Sequence, residues 1–276
     1  MNAHSKDAPK DLGAALRGIA DHQLTRASQC LGWKGGHRHK GVHQARKSIR
    51  RVRSILALAG ATLGPGAEAL SYLLSEINQG LSRVRDAQAL VEAIDHLAAQ
   101  THGEKWLRLL VRARRSAVAA RRIVLQAAIA ADPDFLQARN LLASINVALD
   151  GLAWSSVANR EVEAAFSLGK EKTRKAAKKA HKTGEDEDWH RWRRKARRQS
   201  QQQRILAEAG IKSTVEYDDR GIASLLGQQQ DCSLLLEFCE SDRSPIRWTD
   251  RNQLNRLVEK KLGSLRKTLA SQTVEA

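Results

Sequence analysis

Residues 42–59, VHQARKSIRRVRSILALA, carry two incompatible surfaces in one short segment. At 100° per residue His43, Arg46, Lys47, Arg50, Arg51 and Arg53 fall on one arc, and Val42, Ala45, Ile49, Val52, Leu56 and Ala59 fall on the opposite one. The pattern predicts an amphipathic helix with its apolar arc in a core. The polar arc is unusual, because its five Arg and Lys residues are offset by no acid. Like charges at i,i+4 repel, and a solvated helix face ordinarily mixes both signs. Two readings stand: a solvated basic face, or a face that meets an anion.

Working outward, the same helical signature fills the chain. There are only 4 Pro among 276 residues, and Ala, Leu, Arg, Gln and Glu abound, which favours helix throughout. A hydrophobic share of 42% with no long low-complexity tract supports one or two globular domains. The expected class is all-α. Apolar periodicity, glycines and prolines predict nine helices: 11–31, the 42–59 helix, 67–99 with a bend at Gly80, 104–131, 134–151, 159–183, 189–209, 218–240, and 250–270 starting on Asp250 as N-cap. Residues 184–188, GEDED, read as an acidic linker.

The net charge of +17 and a pI near 10.3 call for a polyanionic partner. The segment 170–204 alone holds 14 Lys and Arg against 5 Asp and Glu. Cys30, Cys232 and Cys239 are odd in number and lack CxxC spacing, as expected of small buried hydrophobes in a reducing compartment. The first twenty residues show no signal-peptide pattern, and no apolar run reaches 18 residues, so a cytoplasmic location off the membrane is expected.

The chain repeats itself. His43-x-x-Arg46-Lys47-x-x-Arg50-Arg51 recurs as His190-x-x-Arg193-Arg194-x-x-Arg197-Arg198. Each copy is followed by a second match, LSRVRDAQALVEAI with Asp86 and LLGQQQDCSLLLEF with Asp231. Two matches in register predict two pseudo-symmetric helical bundles of about four helices each, from halves 11–151 and 159–270 of a single domain. Asp86 and Asp231 are expected to pair with arginines and orient them.

The paired His-x-x-Arg-x-x-x-Arg-Arg helices, the Arg85-Asp86 step, the basic KTRKAAKKAHK stretch and DWHRWRRKARR together resemble the CHAD family, the conserved-histidine α-helical domains. The resemblance covers nearly the whole chain. It implies two four-helix bundles that bind inorganic polyphosphate along a basic groove, with association to polyphosphate granules. Carried over by position, the polyphosphate-binding residues would be His43, Arg46, Lys47, Arg50, Arg51, Arg174, Lys175, Lys178, Lys179, His190, Arg193, Arg194, Arg197 and Arg198. The sequence departs from the family pattern at Gln230, where the first copy has Arg85, and at Gln199-Ser200, where a Tyr is common. Many members of that family carry an appended triphosphate-tunnel enzyme domain, and none is expected within these 276 residues.

Arginine matches phosphate oxygens bidentately and lysine supplies a movable point charge, so cations at i, i+3, i+4 and i+7 can track a linear anion. The cations around His37, His39 and His43 oppose a divalent metal, and no metal or cofactor is expected. His43 and His190 are expected at helix N-termini, donating to phosphate beside free backbone N–H groups. No Walker loop, GxSxG, HExxH or EF-hand pattern occurs, so no catalysis is expected. The competing reading is non-specific nucleic-acid binding through phosphate-backbone contacts, with Trp189 and Trp192 available to stack bases. A third is docking on an acidic protein.

Overall fold

Ala, Leu, Arg and Gln runs without internal proline give helices over most of the described chain. The structure is a computed structural model that describes residues 11–211, 220–241, 244 and 246–274. Among these residues there are ten α-helices and no strand: α1 (Leu12–Leu31), α2 (Arg38–Leu63), α3 (Pro65–Gly80), α4 (Ser82–Ala99), α5 (Glu104–Ala131), α6 (Leu136–Leu149), α7 (Asn159–Thr183), α8 (Asp186–Glu208), α9 (Arg220–Glu240) and α10 (Trp248–Val274). Short 3₁₀ turns cover Gly35–His37, Pro133–Phe135 and Trp154–Ser156. None of the described helices is long and apolar enough to cross a membrane. The expectations for the first ten residues and for a helix start at Asp218 lie outside the described residues.

The all-α class holds, and several boundaries move. The expected 67–99 helix is two helices, which makes ten where the sequence predicts nine. α3 stops at Gly80 and the buried Leu81 turns the chain, its N–H still reaching Ile77 O at 3.2 Å. α2 starts four residues before Val42, because Gly41 does not break it. A Cβ at Gly41 would stand 2.2 Å from the Cys30 carbonyl oxygen, so the glycine permits the close approach of α1 and α2. α6 begins at Leu136 rather than 134, since Asp134 and Phe135 adopt left-handed backbone at φ 54° and 53° after Pro133. Asp134 is tied there by Lys34 and by Arg38 at 2.9 Å. The GEDED acids are not all linker: Asp186, Glu187 and Asp188 form the first turn of α8, where the helix dipole favours them.

The chain forms two compact units, each of which draws on both sequence halves. Unit 1 takes the described residues up to Leu81, Asp134–Lys175 and those from Lys195 to Ile211. In it α1 packs on α2 and α6, and α3 on α2 and α6. Leu16, Leu24, Ile49, Leu74, Leu142 and Ile145 lie in its interior at no more than 1% exposure. Unit 2 takes Ser82–Pro133, Ala176–Arg194 and the described residues from Arg220 onward. There α4 packs on α5 and α9, and α10 on α9 and α5, around a core that includes Ile94, Leu110, Leu235 and Val258. α7 and α8 each contribute residues to both units.

Candidate functional site

The apolar arc of α2 is buried as its periodicity requires: Val42, Ala45, Ile49, Val52, Leu56 and Ala59 are at most 2% exposed. The opposite arc is not simply solvated. In unit 1 the later half of α8 lies against it, so Ser54, midway along the basic arc, is buried. Ser54 Oγ donates to Gln201 Oε1 at 3.0 Å, Gln202 Nε2 donates to Ser54 O at 3.3 Å, and Arg51 pairs with Glu208. Gln199 Nε2 donates to Phe166 O at 3.1 Å and ties α8 to α7. Within unit 1, therefore, the later half of α8, which begins with Arg197 and Arg198 of the second motif, lies beside α2, while His190, Arg193 and Arg194 belong to unit 2. Burial, and after it the charge of Arg198, pull the Arg53 guanidinium below its usual value. Like charges from two helices face one region, an arrangement that an anion would relieve.

The sequence-predicted cations divide between the units. Unit 1 holds His43, Arg46, Lys47, Arg50, Arg51, Arg174, Lys175, Arg197 and Arg198, and unit 2 holds Lys178, Lys179, His190, Arg193 and Arg194. Lys47, Arg174, Lys178, Arg197 and Arg198 stand exposed. So do Lys175, Lys179 and Arg194, each beside a carboxylate: Lys175 with Glu171 at 2.5 Å, Lys179 with Asp188 at 2.9 Å and Arg194 with Glu187 at 2.8 Å; the half-buried Arg51 pairs with Glu208. These hydrogen bonds keep the Glu171, Glu187 and Asp188 carboxyls below the usual carboxylate range.

The histidines are not at helix N-termini. His43 is the sixth residue of α2 and His190 the fifth of α8, so their backbone N–H groups lie inside the helices, and the first turn of α8 is acidic. Asp231 does not meet an arginine closely either. It lies 3.4 Å from His96 Nδ1, and burial pushes its carboxyl up, opposed first by His96 and then by the charges of Arg193 and Arg85. Arg193 Nη1 instead donates to Gln230 Oε1 at 3.5 Å, which gives the departure from the Arg-Asp pattern a structural use. Trp189 and Trp192 are buried against His181, with centroids 5.0 and 5.2 Å away, and present no stacking surface. Among the described residues no group of three or more His, Cys, Asp or Glu is placed to hold a metal ion.

Sequence reasoning missed Lys172 and Lys195. With Arg198, Gln199, Gln202 and Leu168 they line a cleft of about 210 Å³ in unit 1. The signal was present in the basic runs 170–182 and 193–198, but only the packing of α7 on α8 shows which lysines share a wall.

A family model, that of the CHAD domain, matches residues 14–240. No curated protein matches the chain. Two solved structures are similar over nearly their full lengths. PptA from Streptomyces chartreusis is 17% identical with a TM-score of 0.67, covering 97% of this chain and 100% of that one. The CHAD domain from the plant Ricinus communis is 18% identical with a TM-score of 0.59, covering 99% of this chain and 90% of that one. At such identities the likeness is one of fold.

Proposed function

This chain belongs to the CHAD domain family, and from that premise we propose that it binds inorganic polyphosphate without catalysis, in unit 1 through cations of α2, of α7 up to Lys175 and of α8 from Lys195, and in unit 2 through those of the remaining parts of α7 and α8. The observation that supports the reading is that in unit 1 α2, with Arg50, Arg51 and Arg53, is hydrogen-bonded to the stretch of α8 that follows Arg197 and Arg198, which brings cations of both motif copies into one unit. A linear anion with about one charge per phosphate answers such a row, and arginine forks grip its oxygens. In a cell the protein would gather on polyphosphate granules in the cytoplasm. The burial of Trp189 and Trp192, which flank His190, leaves no base-stacking surface beside the second motif, which supports polyphosphate over a single-strand nucleic acid there.

The test is a competition between long-chain polyphosphate and single- or double-stranded nucleic acid, at equal phosphate concentration and about 0.15 M salt. Polyphosphate is expected to displace the nucleic acid. Displacement in the other direction overturns the reading and makes the protein a phosphate-backbone binder of nucleic acid.

A further inference from the structure

The cations of the proposed site are not equally available to a ligand. Arg51 is engaged by Glu208, the last residue of α8, in unit 1. In unit 2 Arg194 is engaged by Glu187, in the first turn of the same helix, at 2.8 Å. Arg194 is exposed although paired, whereas the Arg51 side chain is only 23% exposed. Exposed cations stand in each unit: Lys47, Arg174 and Arg198 in unit 1 and Lys178 in unit 2. Both carboxylates are tethered to the fold, so each faces its arginine at a high effective concentration that a free monomeric phosphate must outcompete alone.

We propose that Glu208 and Glu187 are specificity-determining residues, internal counter-ions that a phosphate chain must displace from Arg51 and Arg194. The proposal rests on the polyphosphate reading and adds a mechanism to it. A chain already anchored on exposed cations of the same unit presents its next phosphates at a comparable effective concentration, and can take the arginine from the glutamate. Orthophosphate has no such anchor. The two carboxylates therefore weaken binding overall while favouring long chains.

The salt response follows from the same exchange. A cation neutralised by mobile ions releases them when phosphate binds, whereas an arginine neutralised by a glutamate has few to release. The slope of log K against log salt then undercounts the contacts, omitting Arg51 and Arg194 along with Lys175 and Lys179, which Glu171 and Asp188 neutralise. Freeing each arginine is expected to steepen the slope by about 0.7, the single-strand value per contact.

The experiment measures binding of a labelled long-chain polyphosphate to the full chain at about 50 to 300 mM salt. The proteins are the wild type, Glu208→Gln, Glu187→Gln, the double variant, and Glu76→Gln, an exposed glutamate on α3 that controls for the added unit of net charge. Each test variant is expected to tighten binding roughly three- to fivefold at the lowest salt and to steepen the slope, with the double variant doing both more strongly. Glu76→Gln is expected to leave the slope unchanged. Orthophosphate, read by its competition with the label, is expected to compete better against the test variants than against wild type. If wild type binds and the test variants match Glu76→Gln in slope and affinity, the counter-ion role is overturned while the polyphosphate reading stands. If wild type does not bind polyphosphate at all, both fall. Unchanged helical circular dichroism for every variant places the effect in the site rather than in folding.

Discussion

Asp250 sits where the sequence marks an N-cap, and it does a different job. α10 begins two residues earlier at Trp248, and the buried Asp250 carboxylate accepts from Arg112 Nε at 2.9 Å and Nη2 at 2.7 Å. That bidentate hydrogen bond, with the Arg112 charge, holds the Asp250 carboxyl below its usual range. A carboxylate with a depressed folded pKa stabilises the fold above its unfolded pKa, and the contribution disappears as pH falls through the folded value. Asp250→Asn should therefore lower the urea midpoint at about pH 7, and the difference from wild type should shrink as pH falls below about 4. An equal deficit at both pH values would show that the pair's charge is not what matters. The cysteines illustrate a residue-scale reading that composition does support: all three are buried and unpaired by disulfide, and burial pushes the Cys232 and Cys239 thiols up to about 11. Gly41 is the opposite case. Its glycine signal is visible in the sequence, but a nearby carbonyl rather than a loop explains it, and nothing local announces that carbonyl.

α8 concentrates the element-scale lessons. Its acidic first turn and Arg-rich middle are both plain in the sequence, yet the acids read as linker because the charge change looks like a boundary. In the fold they start the helix and engage Lys179, Arg194 and Arg266. The later half of α8 then packs on α2 in unit 1, bringing Arg197 and Arg198 into the same unit as Arg50 and Arg51. If one phosphate chain spans both helices, Arg50→Ala with Arg51→Ala, and separately Arg197→Ala with Arg198→Ala, should each weaken long-chain binding by about tenfold, or 1.4 kcal/mol. Alanine is the appropriate replacement because a glutamate at position 51 would face Glu208. The combined variant should lose an amount different from the sum, since residues that share a ligand couple. Strict additivity, or a stoichiometry of two chains per protein, would separate the helices into independent sites.

For the whole molecule the dominant quantity is the net charge of +17. A field of that size draws polyanions and strains the folded chain by self-repulsion. Long-chain polyphosphate at a hundredfold excess over Kd should add about 2.7 kcal/mol of stability and raise Tm by roughly 5–10 °C. Orthophosphate at the same phosphate concentration should move Tm by less than about 1 °C, because it bridges few cations. Equal shifts would leave a general screening effect and no extended site. Helical class, the buried arc of α2 and the repeated His-Arg motif are determined by the sequence alone, because each depends on residue type and on spacings within one or two turns. Which helices share a core is different. The halves that the repeat marks in sequence are divided between two compact units, with α4 and α5 packed on α9 and α10 while α1, α2, α3 and α6 pack together. Tertiary structure also decides the ion pairs between helices, Arg51 of α2 with Glu208 of α8 and Lys179 of α7 with Asp188 of α8. The sequence leaves both open because a helix's apolar arc specifies that it is buried, not against which partner, and an ion pair's partner is set by distances that only the packed chain supplies.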